Sequence, residues 1–171
     1  MEVFSPALQE FVATTLKKLK DFNPEIRYPY KNHPFAALTF NLGPAACTIP
    51  HKDLKDLGWG WCAVTSMGRY DHTKGGHLVL WDLNLAVEFP PNSTIFIPSA
   101  ILRHSNTAVG PAEHRSSVTQ YNSAGLFRWV AYEGSLKGEK KRSGKEWWDA
   151  PRHMFFVKGG SGQKMASTNT P

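Results

Sequence analysis

The feature that most constrains this chain is a series of short strand-like runs between residues 35 and 122, most of them followed by glycine or proline. The runs are Phe35–Leu42, Trp61–Ser66, His77–Trp81, Leu85–Phe89, Thr94–Ile97 and Ser116–Asn122. Gly43-Pro44, Gly68, Gly75-Gly76, Pro90-Pro91-Asn92 and Pro98 stand between them. β-Branched and aromatic residues suit a pleated surface, whereas Gly, Pro and Asn suit turns. Short strands at this spacing predict a mainly β fold, a double-stranded β-helix (jelly roll) with flanking helices.

The flanks read differently. Ser5-Pro6 followed by apolar residues at 8, 11, 12, 16 and 19 predicts an amphipathic helix with an N-cap and Pro at its first position. A polar, proline-bearing connection follows, so residues 1–34 form the N-terminal helix and linker and 35–125 the core. Gly125–Tyr132 is expected to be a short helix. Residues 126–158 are expected to pack on the core, with Trp147-Trp148 as an apolar anchor, and Gly-rich 159–171 to form a flexible tail. With 171 residues and 41% hydrophobic content, the chain suits one core and not two domains.

Charge and cysteine content narrow the function classes. Residues 1–136 carry 12 Lys+Arg against 11 Asp+Glu, and residues 137–171 carry 8 against 3. The net charge of +6 therefore resides mainly in the C-terminal segment, around Lys137–Lys145. Such a run reads as a solvated tail or as a phosphate-binding arm or nuclear-import signal. Lys52, Lys55, Arg69 and Lys74 are the cations expected to rim a site in the body of the protein. Cys47 and Cys62 are expected to be buried free thiols of a reduced intracellular protein. No basic segment precedes an apolar run at the N-terminus, and no stretch reaches membrane-spanning length, so neither signal peptide nor membrane partner is expected.

His51-Lys-Asp53 sets an imidazole and a carboxylate two residues apart. In an extended chain, residues i and i+2 share a face, so both can bind one metal ion. A second imidazole from a distant strand completes a two-His-one-carboxylate triad, the donor set of non-haem iron(II) with open positions for further ligands. Among 7 His and 14 acidic residues, about half of one His-x-Asp/Glu pair is expected by chance, so the ordered set matters more than the pair. His104 follows His51 by 53 residues, just past Thr94–Ile97, and Arg115 stands 11 residues further on, with Ser117 two beyond. An arginine there can pair bidentately with a carboxylate, and Ser117 adds a hydrogen bond from the same face. A dicarboxylate co-substrate would bind the metal through its keto-acid end and reach Arg115 with the other. Asn41 is a further candidate for the co-substrate, or a strand-end cap. His77 is the rival third ligand.

The order His-x-Asp, distal His, Arg-x-Ser resembles the Fe(II)/2-oxoglutarate dioxygenase superfamily. More narrowly, Gly75-Gly-His-Leu-Val-Leu-Trp-Asp-Leu83, Pro90-Pro-Asn-Ser-Thr-Ile-Phe-Ile-Pro-Ser99 and Arg103-His-Ser-Asn106 resemble TET/JBP-like oxygenase domains of the compact fungal type, over roughly residues 35–125. The resemblance implies Fe(II) as the metal and 2-oxoglutarate and O2 as co-substrates. It implies a methylated base in DNA (5-methylcytosine or N6-methyladenine) as substrate, flipped from the duplex and oxidised at its methyl carbon with release of succinate and CO2. It further implies that Asp56, three residues after the Asp ligand, contacts the flipped base and that Tyr121, six after the arginine, stacks on it. A histidine common two positions later in the family is Ser123 here.

The polar loop Tyr70–Gly76 is expected to border the mouth, which makes Tyr70 a further substrate-binding candidate. Three classes follow: an oxygenase on methylated DNA, with a nuclear before a cytoplasmic location; the same chemistry on RNA, a protein side chain or a small molecule; and a catalytically inactive jelly-roll binding module.

Overall fold

The computed structural model describes residues 5–27 and 34–134. The expected extension from residue 135 onward, with Trp147-Trp148, the Lys137–Lys145 run and the tail 159–171, lies outside them.

Helix α1 (Pro6–Phe22) starts where the sequence places it, because Pro6 supplies a helix-compatible φ where no N–H partner is needed. The Ser5 hydroxyl makes no capping bond, so proline rather than a side-chain cap marks the start. Leu8, Val12, Leu16 and Leu19 form one buried stripe at helical spacing. They pack with Leu57, Trp59 and with Phe127 and Val130 of helix α2 (Ala124–Ala131). Neither helix is long and apolar enough to cross a membrane.

Between the helices lie β1 (Ala37–Asn41), β2 (Cys62–Arg69), β3 (Leu78–Leu80), β4 (Leu85–Val87), β5 (Thr94–Ile97), β6 (His104–Asn106) and β7 (His114–Tyr121). All pair antiparallel, in a four-stranded sheet β1-β7-β2-β5 and a three-stranded sheet β4-β3-β6. The fold is mainly β, a jelly roll with flanking helices, and its inner core is built from Cys62, Leu78, Leu80, Phe89 and Ile97.

Three expectations need correction. Strand β6 went unseen because His-Ser-Asn carries no β-branched or aromatic residue; its position is fixed by pairing with β3. Gly68 is no turn. It lies within β2 at φ +120°, and a Cβ there would collide with the His114 carbonyl, so only glycine lets β2 run on to Arg69 beside β7. Of the two cysteines, Cys62 is buried but Cys47 is exposed; both are free. Burial pushes the Cys62 thiol up to about 12, so it stays protonated.

Candidate metal centre and substrate cavity

The backbone of two distant segments builds the candidate metal centre. His51 and His104 form an isolated antiparallel bridge, each N–H donating to the other's carbonyl at 2.9 Å. The Asp53 N–H donates to the Ser99 carbonyl at 3.0 Å. The bridge and this bond hold residues 51–53 alongside 99–104, although Asp53 lies in a loop rather than on a strand.

This arrangement brings His51, Asp53 and His104 together, with one donor atom from each within 4.8 Å of the others. His51 Nε2 stands 3.5 Å from Asp53 Oδ1, and His104 Nε2 stands 3.8 Å from Asp53 Oδ2. Each imidazole Nδ1 lies against the carbonyl two residues upstream, of Ile49 at 2.8 Å and of Leu102 at 2.9 Å. A carbonyl only accepts, so both Nδ1 atoms carry the hydrogen and both Nε2 lone pairs face the carboxylate. Local sequence explains both contacts. Pro50 keeps Ile49 extended, and the turn after Pro98, closed by Ile101 and Leu102 N–H groups on the Pro98 carbonyl, delivers Leu102 beside His104. His77, the rival ligand, is outside this cluster.

A cavity of about 550 Å³ opens onto the three residues. Its walls include Asn41, Asp56, Arg115, Ser117 and Tyr121, each singled out from the sequence. Alternation along β7 turns Arg115, Ser117, Thr119 and Tyr121 to the cavity. Arg115 is 3% exposed; its Nη1 donates to the Ala46 carbonyl at 2.7 Å, while its buried Nε has no partner. A buried, unpaired guanidinium nitrogen is costly unless an acceptor reaches it, so Arg115 is suited to receive an anionic group. Asn41 pairs across the sheet with Ser117 and donates from Nδ2 to the hydroxyls of Ser117 at 3.1 Å and Thr119 at 3.4 Å. Its contacts are therefore lateral, and they orient the Ser117 hydroxyl.

Asp56 lines the same cavity, and its N–H donates to the Asp53 carbonyl at 2.9 Å. Burial, and then the nearby Asp53 carboxylate, raise its pKa to about 6, while the Ser99 hydroxyl at 3.5 Å opposes the shift. Its backbone bridges Ser123, so this serine, standing at the family's histidine position, lies beside Asp56. Thr39 Oγ1 lies 3.4 Å from the Tyr121 hydroxyl.

Tyr70 must be withdrawn from the substrate side. It is buried outside the cavity, its hydroxyl bonded to Ser66 Oγ at 2.6 Å and to the Phe89 carbonyl, and its ring packs on Gly76. It ties the end of β2 to the chain after β4. The Tyr70–Gly76 loop contributes nothing to the cavity wall. Of the expected basic rim, Lys52 and Lys55 line the cavity, but Arg69 and Lys74 do not. Lys52 is paired with Asp82 at 3.2 Å and Lys74 with Asp71 at 2.9 Å.

Sequence reading missed Asn106. This buried residue accepts from the Thr48 N–H at 2.9 Å and hydroxyl at 2.8 Å, and donates to the Ala46 carbonyl at 3.2 Å. It thereby braces the segment that also receives Arg115. Its position two after His104, on the same strand face, was the available signal. Thr119 was missed too, although the alternation that placed Ser117 on the face of Arg115 includes it.

The donor set fits iron(II): two neutral imidazoles and one carboxylate, with no thiolate among them. The orphaned Arg115 Nε fits the distal carboxylate of 2-oxoglutarate.

No family model matches the chain, and no curated protein matches it. Among solved structures it is similar to NgTET1 in complex with 5mC DNA, with a TM-score of 0.50 and 17% identity, over 89% of this chain and 58% of that one. The chain thus spans less than two thirds of NgTET1. A second similar structure is the viral collagen prolyl hydroxylase vCPH from Paramecium Bursaria Chlorella virus-1, in a 2OG complex. That match has a TM-score of 0.38 and 16% identity, over 67% of this chain and 74% of that one. At 17% identity the likeness to NgTET1 is one of fold.

Proposed function

We propose that the protein is an Fe(II)/2-oxoglutarate-dependent dioxygenase that oxidises the methyl group of a methylated base in DNA, 5-methylcytosine or N6-methyladenine, releasing succinate and CO2. The observation that carries the oxygenase reading is the joint presence of the three clustered donors and the unpaired buried Arg115 Nε on one cavity. His51, Asp53 and His104 would hold the iron, and Arg115 with Ser117 would receive the distal carboxylate of 2-oxoglutarate. The iron, when bound, supplies oxygen activation at the expense of the co-substrate. The protein's residues would fix both imidazole tautomers and orient the co-substrate through Asn41 and Ser117. Asp56 offers its carboxyl group to a base edge, and Tyr121 offers a stacking face.

The DNA substrate is supported by the fold shared with NgTET1, whose complex contains 5mC DNA, and by the motifs of residues 75–106. A nuclear location would follow from it. The same chemistry on RNA, a protein side chain or a small molecule is the second reading, favoured by the neutralisation of Lys52 and Lys74 by Asp82 and Asp71. Nucleoside mass spectrometry after incubation with methylated duplexes, iron(II) and 2-oxoglutarate tests the choice. Oxidised 5-methylcytosine or N6-methyladenine is expected; succinate formation with both bases intact would favour the second reading.

A further inference from the structure

Resting on the DNA reading above, we propose that Leu54 is a wedge that enters the duplex where the target base leaves it, which makes double-stranded DNA the substrate form this site is shaped for. Leu54 follows the ligand Asp53 directly, lines the cavity, and is 81% exposed. Water-facing leucine at a cavity mouth serves no packing role within the protein. The turn that carries it is pinned at both ends. The Asp53 N–H bonds the Ser99 carbonyl at 3.0 Å, and the Asp56 N–H bonds the Asp53 carbonyl at 2.9 Å. The Lys55 carbonyl accepts from Ala124 N–H at 2.9 Å, and the Leu57 N–H bonds Asn122 at 2.7 Å. A rigid turn can hold an apolar side chain out against a base stack, which a mobile loop cannot do.

Its neighbours suit the same partner. Lys55 directly follows it, lines the cavity and makes no ion pair among the described residues, whereas Lys52, two residues before it, lines the cavity but is held by Asp82 at 3.2 Å. A cation beside an apolar projection meets a phosphate while the projection meets stacked bases. The target base would swing toward Asp56 and Tyr121, and Leu54 would occupy the stacking space it vacates.

The test uses the full iron-loaded chain with one methylated oligonucleotide, presented single-stranded and in duplex. In Leu54→Ala the ratio of duplex to single-strand turnover should fall about tenfold or more, since unstacking loses its compensation. Leu54→Met should restore it. A 2-aminopurine placed beside the methylated base, read without oxygen, should brighten with the wild-type protein and less with Leu54→Ala. An unchanged ratio or an unchanged fluorescence in Leu54→Ala overturns the wedge while leaving DNA oxidation standing. Wild-type protein that oxidises neither form overturns the DNA reading itself.

Discussion

The chain has two apolar clusters, and they do different work. One gathers Leu8, Val12, Leu16 and Leu19 of α1 with Leu57, Trp59, Phe127 and Val130; among its buried members none lines the cavity. The other lies between the sheets, and its Cys62 and Leu78, with the adjoining Val64 and Tyr121, are cavity wall. Stability in the first cluster is thus separable from chemistry, whereas in the second the same side chains serve both. Residues 53–57 run from the cavity to the first cluster: Asp53 lines the cavity and Leu57 is buried among the helices. The fold can therefore lose packing at the helical end without disturbing ligand geometry, provided that this short turn holds.

The largest expected effect is on the chemistry. Asp53→Ala leaves two imidazoles without their carboxylate, and turnover should vanish together with iron binding in anaerobic titration, while the melting curve moves little. Full activity in this variant would sink the metal assignment. At the helical end, Phe127→Ala removes a fully buried ring and should cost about 3–5 kcal/mol of stability. Iron affinity per folded molecule should remain as in the wild type. Denaturant unfolding and iron titration of one sample check both halves, and a large loss of iron affinity would show that the clusters are not separable. Between these extremes, Arg115→Ala should weaken 2-oxoglutarate by about tenfold or more, the loss of a charge-assisted pair worth about 1.5–3 kcal/mol. Calorimetric titration of the iron-free and iron-loaded forms measures it.

The sequence made the sandwich end more legible than the turn that joins the two clusters. Alternation along β7 puts Ser117 on the face of Arg115, because period two is a local property of the chain, whereas Tyr121 was implied by the family resemblance. The ordered set of His51, Asp53, His104 and Arg115 rests on order and spacing instead, and the fold brings all four to one cavity. Strand β6 was not, since its three polar residues are extended only through pairing with β3, a contact made across 24 residues between Leu80 and His104. Tyr70 misled because an aromatic in a polar loop looks exposed, and only the approach of Ser66, Gly76 and Phe89 buries it. Asn106 escaped because its partners, Ala46 and Thr48, lie about sixty positions away in sequence. What the sequence carried was periodicity and order; what it lacked was the identity of distant backbone partners.

The smallest effect probes the joining turn itself. In the metal-free protein, Asp56 has its carboxyl raised from 3.8 to about 6, chiefly by burial. The folded state therefore holds this proton more tightly than the unfolded chain does. Below about pH 4 both states are protonated and the site contributes no difference; between about 4 and 6 the unfolded chain ionises first, so stability falls as pH rises; above about 6 the full penalty is present. Asp56→Asn keeps an acceptor for Ser99 and removes the charge. It should match the wild type near pH 4 and exceed it by on the order of 1 kcal/mol near pH 7, a figure reduced by solvent screening at a half-buried group. Urea midpoints across this range give the slope directly. If Asn is instead the less stable variant at pH 7, the carboxylate is favoured by its surroundings, and the turn between the two clusters is held by charge rather than strained by it.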